Sequence, residues 1–328
     1  MKRVRVEDAV GKPLAHDIIH YGPELKAILF KRGHVIRSED IERLKDTGNY
    51  FIYIAEGAEE EVHEDDAALR MARTLIGENL SHTKPDKGRV AIVAETPGLL
   101  KVKADIVRQV NLINDFIFAT RANNTGVRKQ QAVAAVKIVP LMIKEEKMKK
   151  VEDFLLKNKP VIQLIPPKVK KIAVIVVGTE IYEGRIEDAF VPTLRKKFGE
   201  YDLDIQESAV LPDDEKKIGK KILELKEKGY ELILVTGGMA VDAGDVTPHA
   251  IKDTGAKIIS RGAPIFPGPM IMLAYLDDTP VLGVPAAAIP FERTSLDHVL
   301  PRILAGEKMT KESIAEFGPG GFLQGART

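Results

Sequence analysis

No cysteine occurs in the 328 residues, which excludes disulfides, thiolate zinc sites, iron–sulfur clusters and thiol nucleophiles. Nor does either sign of charge dominate: 49 Lys and Arg stand against 48 Asp and Glu, a formal net charge of +1. No global field therefore draws the chain to nucleic acid or to an acidic surface. Long apolar runs are missing as well. Stretches such as Ile172–Val177 and Met270–Leu276 fall far short of the roughly 20 residues that span a bilayer, so no membrane helix is expected. The start, MKRVRVEDAV, has basic residues with no apolar segment behind them and does not read as a secretory signal. A cytoplasmic protein with no nucleic-acid or membrane partner is expected.

Several catalytic signatures are absent too. The stretch from Gly178 to Gly184 reads GTEIYEG, which is not G-x-G-x-x-G, and no Walker lysine pattern occurs. The seven histidines are scattered with no H-E-x-x-H or close pair, so a preformed zinc site is not expected. No G-x-S-x-G elbow is found. His63 stands alone in the acidic run of residues 56–66, which reads as a solvated helix start or linker. The chain shows no internal repeat.

What is present is a 44% hydrophobic composition, enough for ordinary cores in two or three domains. Residues 1–86 read as a β-rich or α+β module, with Ser38 as the cap of a short helix and a linker over Ser81–Gly88. Residues 87–167 read as a second small α+β module, with strands at Arg89–Ala94 and Phe116–Thr120 and a surface helix over Lys144–Lys157. Near Lys168 the period changes to regular α/β alternation. The expected fold of residues 168–310 is α/β, an open, mostly parallel sheet with helices on both faces. Its strands include Ile172–Val177, Asp204–Val210 and Tyr230–Val235, and its last helix, Phe291–Leu304, should bend or end at Pro301. Residues 311–328 read as a tail, mobile from Gly318 onward.

The alternation is organised around Tyr230–His249, YELILVTGGMAVDAGDVTPH. A short apolar run buried on both faces stops at Thr236-Gly237-Gly238, where two glycines let the backbone turn sharply and present N–H groups to an anion. Asp242 and Asp245 follow, then Thr247-Pro248, a side-chain oxygen and a proline suited to a helix start. Gly178, Thr179 and Glu180 end an earlier strand, and Asp213 and Asp214 follow another. Acidic groups at the ends of successive strands would repel one another without a role, and in an open parallel sheet that crevice is where ligands bind. Amides there suit a phosphate, and a carboxylate suits a polar heterocycle or Mg²⁺.

Over residues 171–305 these motifs resemble the molybdopterin-binding domain shared by molybdopterin adenylyltransferase, molybdopterin molybdenumtransferase and the CinA-type proteins. The residues that carry the resemblance are Val177-Gly178-Thr179-Glu180-Ile181, Pro212-Asp213-Asp214, Thr236-Gly237-Gly238, Asp242 and Asp245-Val246-Thr247-Pro248. Lys31-Arg32-Gly33-His34-Val35-Ile36 also resembles a segment of the molybdenumtransferase. The resemblance implies molybdopterin as ligand or substrate, held by Gly178, Thr179, Glu180, Thr236, Gly237, Gly238, Met239, Asp242, Thr247 and Pro285. It implies Asp245 and Asp213 as catalytic groups, Asp245 as the Mg²⁺ ligand, ATP or molybdate as co-substrate, and a homo-oligomer. The chain departs from the family at Met239-Ala240, where the adenylyltransferase continues T-G-G-T-G, and at Pro285-Ala286-Ala287-Ala288, where the molybdenumtransferase has a P-G-N-P-like loop. The S-x-M-D-G-Y-A signature is absent, and too little chain follows Leu304 for the molybdenumtransferase's terminal β domain. Two readings therefore stand: a transferase of cofactor assembly, or a non-catalytic carrier, sensor or regulator that keeps the pterin crevice.

Overall fold

The computed structural model describes residues 2–21, 26–55, 60–239 and 246–323. Asp242 and Asp245 lie outside these. The first hydrophobic cluster gathers Leu14, Ile36, Leu44, Ile52 and Ile54 between two antiparallel ribbons, Lys2–Arg5 with Phe51–Ile54 and Ile18–Tyr21 with Lys26–Phe30. Ser38 does not cap the helix Asp40–Asp46. The buried Asp40 carboxylate holds that turn instead, accepting from the Arg37 N–H at 2.9 Å and bonding His34 Nε2 at 2.7 Å.

A second cluster lies between the helices Glu64–Leu75 and Glu145–Lys157 and a four-stranded antiparallel sheet. Its strand order is Leu80–His82, Arg89–Ala94, Ala132–Ile138, Phe116–Thr120. Ser81 and His82 fall in the stretch expected as a linker; the strand's three residues are too few to show a period, and only the sheet edge at Arg89–Ala94 makes them a strand. Arg70 ties the two helices, donating to Glu145 at 2.7 Å and to Glu152 at 2.5 Å.

The third region is the expected α/β unit. Six strands, β1 (Ile172–Val177), β2 (Glu207–Leu211), β3 (Leu232–Thr236), β4 (Lys257–Arg261), β5 (Met272–Leu276) and β6 (Thr279–Val284), pair in the order β2-β1-β3-β6-β5-β4. The first four in that order are parallel; β5 and β4 are antiparallel additions. Every residue of β1 and β3 is buried, because separate apolar clusters cover the two faces of the sheet. At the edge, β2 has no buried residue and starts three residues later than the expected Asp204. Pro301 does not end its helix, which runs Leu296–Leu304; the proline packs against Gly126 of the middle region. The chain is hydrogen-bonded to the domain as far as Leu323, whose N–H donates to the Phe266 carbonyl at 2.8 Å; the rest of the stretch expected to be mobile lies outside the described residues.

Among the described residues, no helix is long and apolar enough to cross a membrane. Burial pushes the imidazoles of His16, His63 and His298 below their ordinary value of 6.5. A folded value below the unfolded one means that protons bind the unfolded chain better, so this stabilisation is complete above 6.5 and lost as the pH falls. Thermal melts should therefore show a constant midpoint from pH 8 to pH 7 and a decline between pH 6.5 and pH 5. An unchanged midpoint through the lower window would contradict neutral burial.

Candidate functional site

The parallel register sets the ends of β2, β1, β3 and β6 side by side, with Val177 beside Leu211, Val176 beside Thr236 and Thr236 beside Val284. Where β3 ends, the backbone turns through Gly237 at φ +82° and Gly238 at φ +53°. A Cβ on Gly237 would run into the Val177 carbonyl oxygen, so only glycine lets this bend close on β1. Thr247 locks it from the other side. It is the first residue of the helix Thr247–Asp253 rather than its cap. Its buried hydroxyl donates to the Gly237 carbonyl at 2.8 Å, because the bend leaves that oxygen without a strand partner.

A second clasp joins the ends of β1 and β2. Asp213 Oδ2 accepts both the Thr179 N–H at 2.8 Å and the Thr179 hydroxyl at 2.9 Å, and the Asp213 N–H returns a bond to Thr179 Oγ1 at 3.2 Å. One of the two oxygens proposed for catalysis at Asp213 is thus spent on shaping the loop. Asp214 is an N-cap, accepting from the Lys217 N–H at 3.0 Å. Glu180 is exposed, its carboxyl folded beside Gly178.

Beside the glycine bend opens a cavity of about 330 Å³, with Gly237, Gly238, Met239 and Pro285 of the expected set in its wall. Gly178, Thr179, Glu180 and Asp213 are not in that wall; they lie along the same sheet edge, toward β2. Met239 does not close the bend. Its thioether turns inward over Gly283, where a Cβ would overlap it, and it forms part of the cavity wall. No described residue accepts from the N–H of Gly238 or Met239. Thr236, fully buried beneath, has a hydroxyl with no described partner, an arrangement that costs about 1–3 kcal/mol unless something binds it. Thr236→Val should accordingly leave the melting midpoint unchanged or raised; a drop of several degrees would show that the hydroxyl is already satisfied.

Sequence reasoning missed the opposite wall, Gly268, Pro269 and Met270, together with Ala286 and Ala287. Pro267-Gly268-Pro269 has the composition of a turn, but nothing local shows that it faces the crevice. It missed the support behind that wall as well: Ser295 donates its hydroxyl to the Gly268 carbonyl and its N–H to the Pro267 carbonyl. Lys197 braces the same corner, bonding Asp297 at 2.6 Å and the Glu292 carbonyl at 2.9 Å. A cavity with apolar walls and a few convergent donors suits a planar ligand with an acceptor at one end.

The family model described as a probable molybdopterin binding domain matches residues 173–305, the span that carries both loops. A second model, a domain of unknown function (DUF8806), matches residues 3–56. A CinA-like protein of Amoebophilus asiaticus (strain 5a2) is 26% identical over 109 residues, which is 33% of this chain and 25% of that protein. The match thus spans about a quarter of the length of that curated relative. Among solved structures, the molybdopterin biosynthesis enzyme MoaB of Thermus thermophilus is 20% identical, with 42% of this chain and 98% of that one covered at a TM-score of 0.35. The CinA protein of unknown function from Thermoplasma acidophilum is 16% identical, with 37% and 90% covered at a TM-score of 0.31.

Proposed function

We propose that this protein binds molybdopterin in the crevice beside Gly237-Gly238 and serves in molybdenum cofactor biosynthesis. The observation that carries the reading is the pair of amides, Gly238 and Met239, that no described residue accepts from, at the mouth of an apolar cavity. The terminal phosphate would lie against those amides, with the pterin ring between Met270 and Pro285. Gly178, Thr179, Glu180 and Asp213 would shape the neighbouring rim, with Asp213 acting through Thr179.

The domain layout belongs to the same proposal: modules over 1–86 and 87–167, the crevice domain over 168–310 and a tail over 311–328. Because Glu64–Leu75 packs into the middle cluster, the first boundary is better set near residue 60. A cytoplasmic location and a homo-oligomer complete the proposal. Mg²⁺ at Asp245, with Asp242 beside the pterin, would require residues outside those described. Among the described residues no cluster of three His, Asp or Glu is placed to hold a metal, so no step is routed through one.

Adenylyl transfer or molybdate insertion would need ATP or molybdate as second substrate. The inward-turned Met239 and the alanines at 286 and 287 favour the binder over the transferase, since they put no polar side chain near the phosphate. Incubation with molybdopterin and Mg-ATP, or with adenylylated pterin and molybdate, separates the two; product formation would overturn the binder reading. Asp213→Ala should weaken molybdopterin binding about tenfold, equivalent to ~1.4 kcal/mol, with little loss of stability because Asp213 is exposed. Unchanged affinity would remove the clasp from the site.

A further inference from the structure

A larger cavity, about 400 Å³, lies where the first region meets the middle one, lined by residues of both, and the pterin reading leaves it unused. His63 lines it with its side chain only 4% exposed. His63 Nδ1 accepts the Asp65 N–H at 3.2 Å, so the neutral ring carries its proton on Nε2. That Nε2 is buried and has no partner among the described residues, and the same holds for Nδ1 of His16 in the same lining. An unpaired buried donor costs about as much as a lost hydrogen bond, and the cavity is far larger than the ~30 Å³ that one water occupies.

The lining limits what can fill it. Asp17, Glu64, Asp65 and Asp86 stand against Arg32 and Lys87, which disfavours a free oxyanion. Glu64 is held by Lys137 at 2.9 Å and Asp65 by the Gly88 N–H at 2.7 Å. Asp17 uses one oxygen for the Arg32 N–H at 2.7 Å. Acceptor capacity therefore remains on Asp17 and Asp86, beside one buried donor. A metal would need the His63 nitrogen that bears the proton, and no described cluster has three suitable ligands. Ile19, Ile28 and Leu141 supply flat aliphatic cover.

We propose that this cavity binds a small neutral nitrogen heterocycle whose edge sets a ring carbonyl beside N–H donors, the edge that guanine and pterin share. A tilt of the His63 ring toward the cavity uncovers the buried Nε2, so that the carbonyl oxygen takes its proton, the ring N–H and amino groups face Asp17 and Asp86, and the aliphatic side chains cover the ring. This stands apart from the reading of the carboxyl-end crevice.

The test is calorimetry on the full chain with guanosine, neopterin, adenosine and zinc chloride as separate titrants. Saturable binding of guanosine or neopterin is expected, with no binding of adenosine, and the tighter of the two identifies nucleoside or pterin as the source. His63→Asn keeps an acceptor for the Asp65 N–H and removes the far donor, so it should weaken binding at least tenfold. Asp17→Asn, on an exposed residue, should weaken it severalfold, whereas Asp213→Ala at the other site should leave guanosine binding unchanged. No heat with either heterocycle, equal binding of adenosine, zinc binding in their place, or full affinity in a folded His63→Asn protein would overturn the proposal.

Discussion

Gly237→Ala is expected to cost about 3–5 kcal/mol, the sum of a left-handed backbone forced on alanine and an overlap with immovable main chain. The φ of +82° is one half of that cost, and the Val177 carbonyl oxygen is the other. Neither half relaxes cheaply, because Val177 ends a strand paired on both sides, with Leu211 and through Val176 with Thr236. Gly229 provides the control. It has a similar φ of +78°, but a Cβ there meets nothing within 4 Å, so Gly229→Ala should cost only about 1 kcal/mol. Urea unfolding of the two variants measures the difference. Equal losses would mean that the close approach of the bend to β1 is not what requires glycine.

Lys197→Ala should cost about 2 kcal/mol, because it removes a charge-assisted hydrogen bond to Asp297 and the packing of the lysine stem. The lysine side chain is 10% exposed and its Asp297 partner 24%. Asp297 also accepts the Thr294 N–H at 2.7 Å, and the neighbouring Ser295 holds the Gly268 loop, so the loss should reach the cavity wall. Molybdopterin affinity should fall severalfold although Lys197 is not in the wall. Lys197→Met, which keeps the packing of the stem, should recover part of the stability and none of the hydrogen bonds. Loss of stability with unchanged affinity would disconnect this brace from the site.

Local pattern made much of this legible. The fully apolar runs of β1 and β3 fit only strands covered on both faces, and Thr236-Gly237-Gly238 marks the end of one of them. The Asp214 cap is local too, since it depends on the Lys217 N–H three residues away. Contacts between distant segments were not. Nothing near Gly283 in sequence announces that it makes room for Met239, and nothing near Lys197 announces Asp297, 100 residues later. Thr247 looked like a cap because threonine before proline usually is one; the glycine bend, ten residues earlier, claimed its hydroxyl instead. His63 stands alone in its acidic run, and only the fold shows that its ring is buried beside a cavity with Nε2 unbonded among the described residues.

The most direct measurement is a calorimetric titration of the full chain with molybdopterin, made in the His63→Asn variant so that the junction cavity does not contribute. Saturable binding near one ligand per chain, weakened about tenfold when Asp213→Ala is added, is the expected result. Absence of binding by a folded protein would contradict the assignment of the crevice to a phosphorylated pterin.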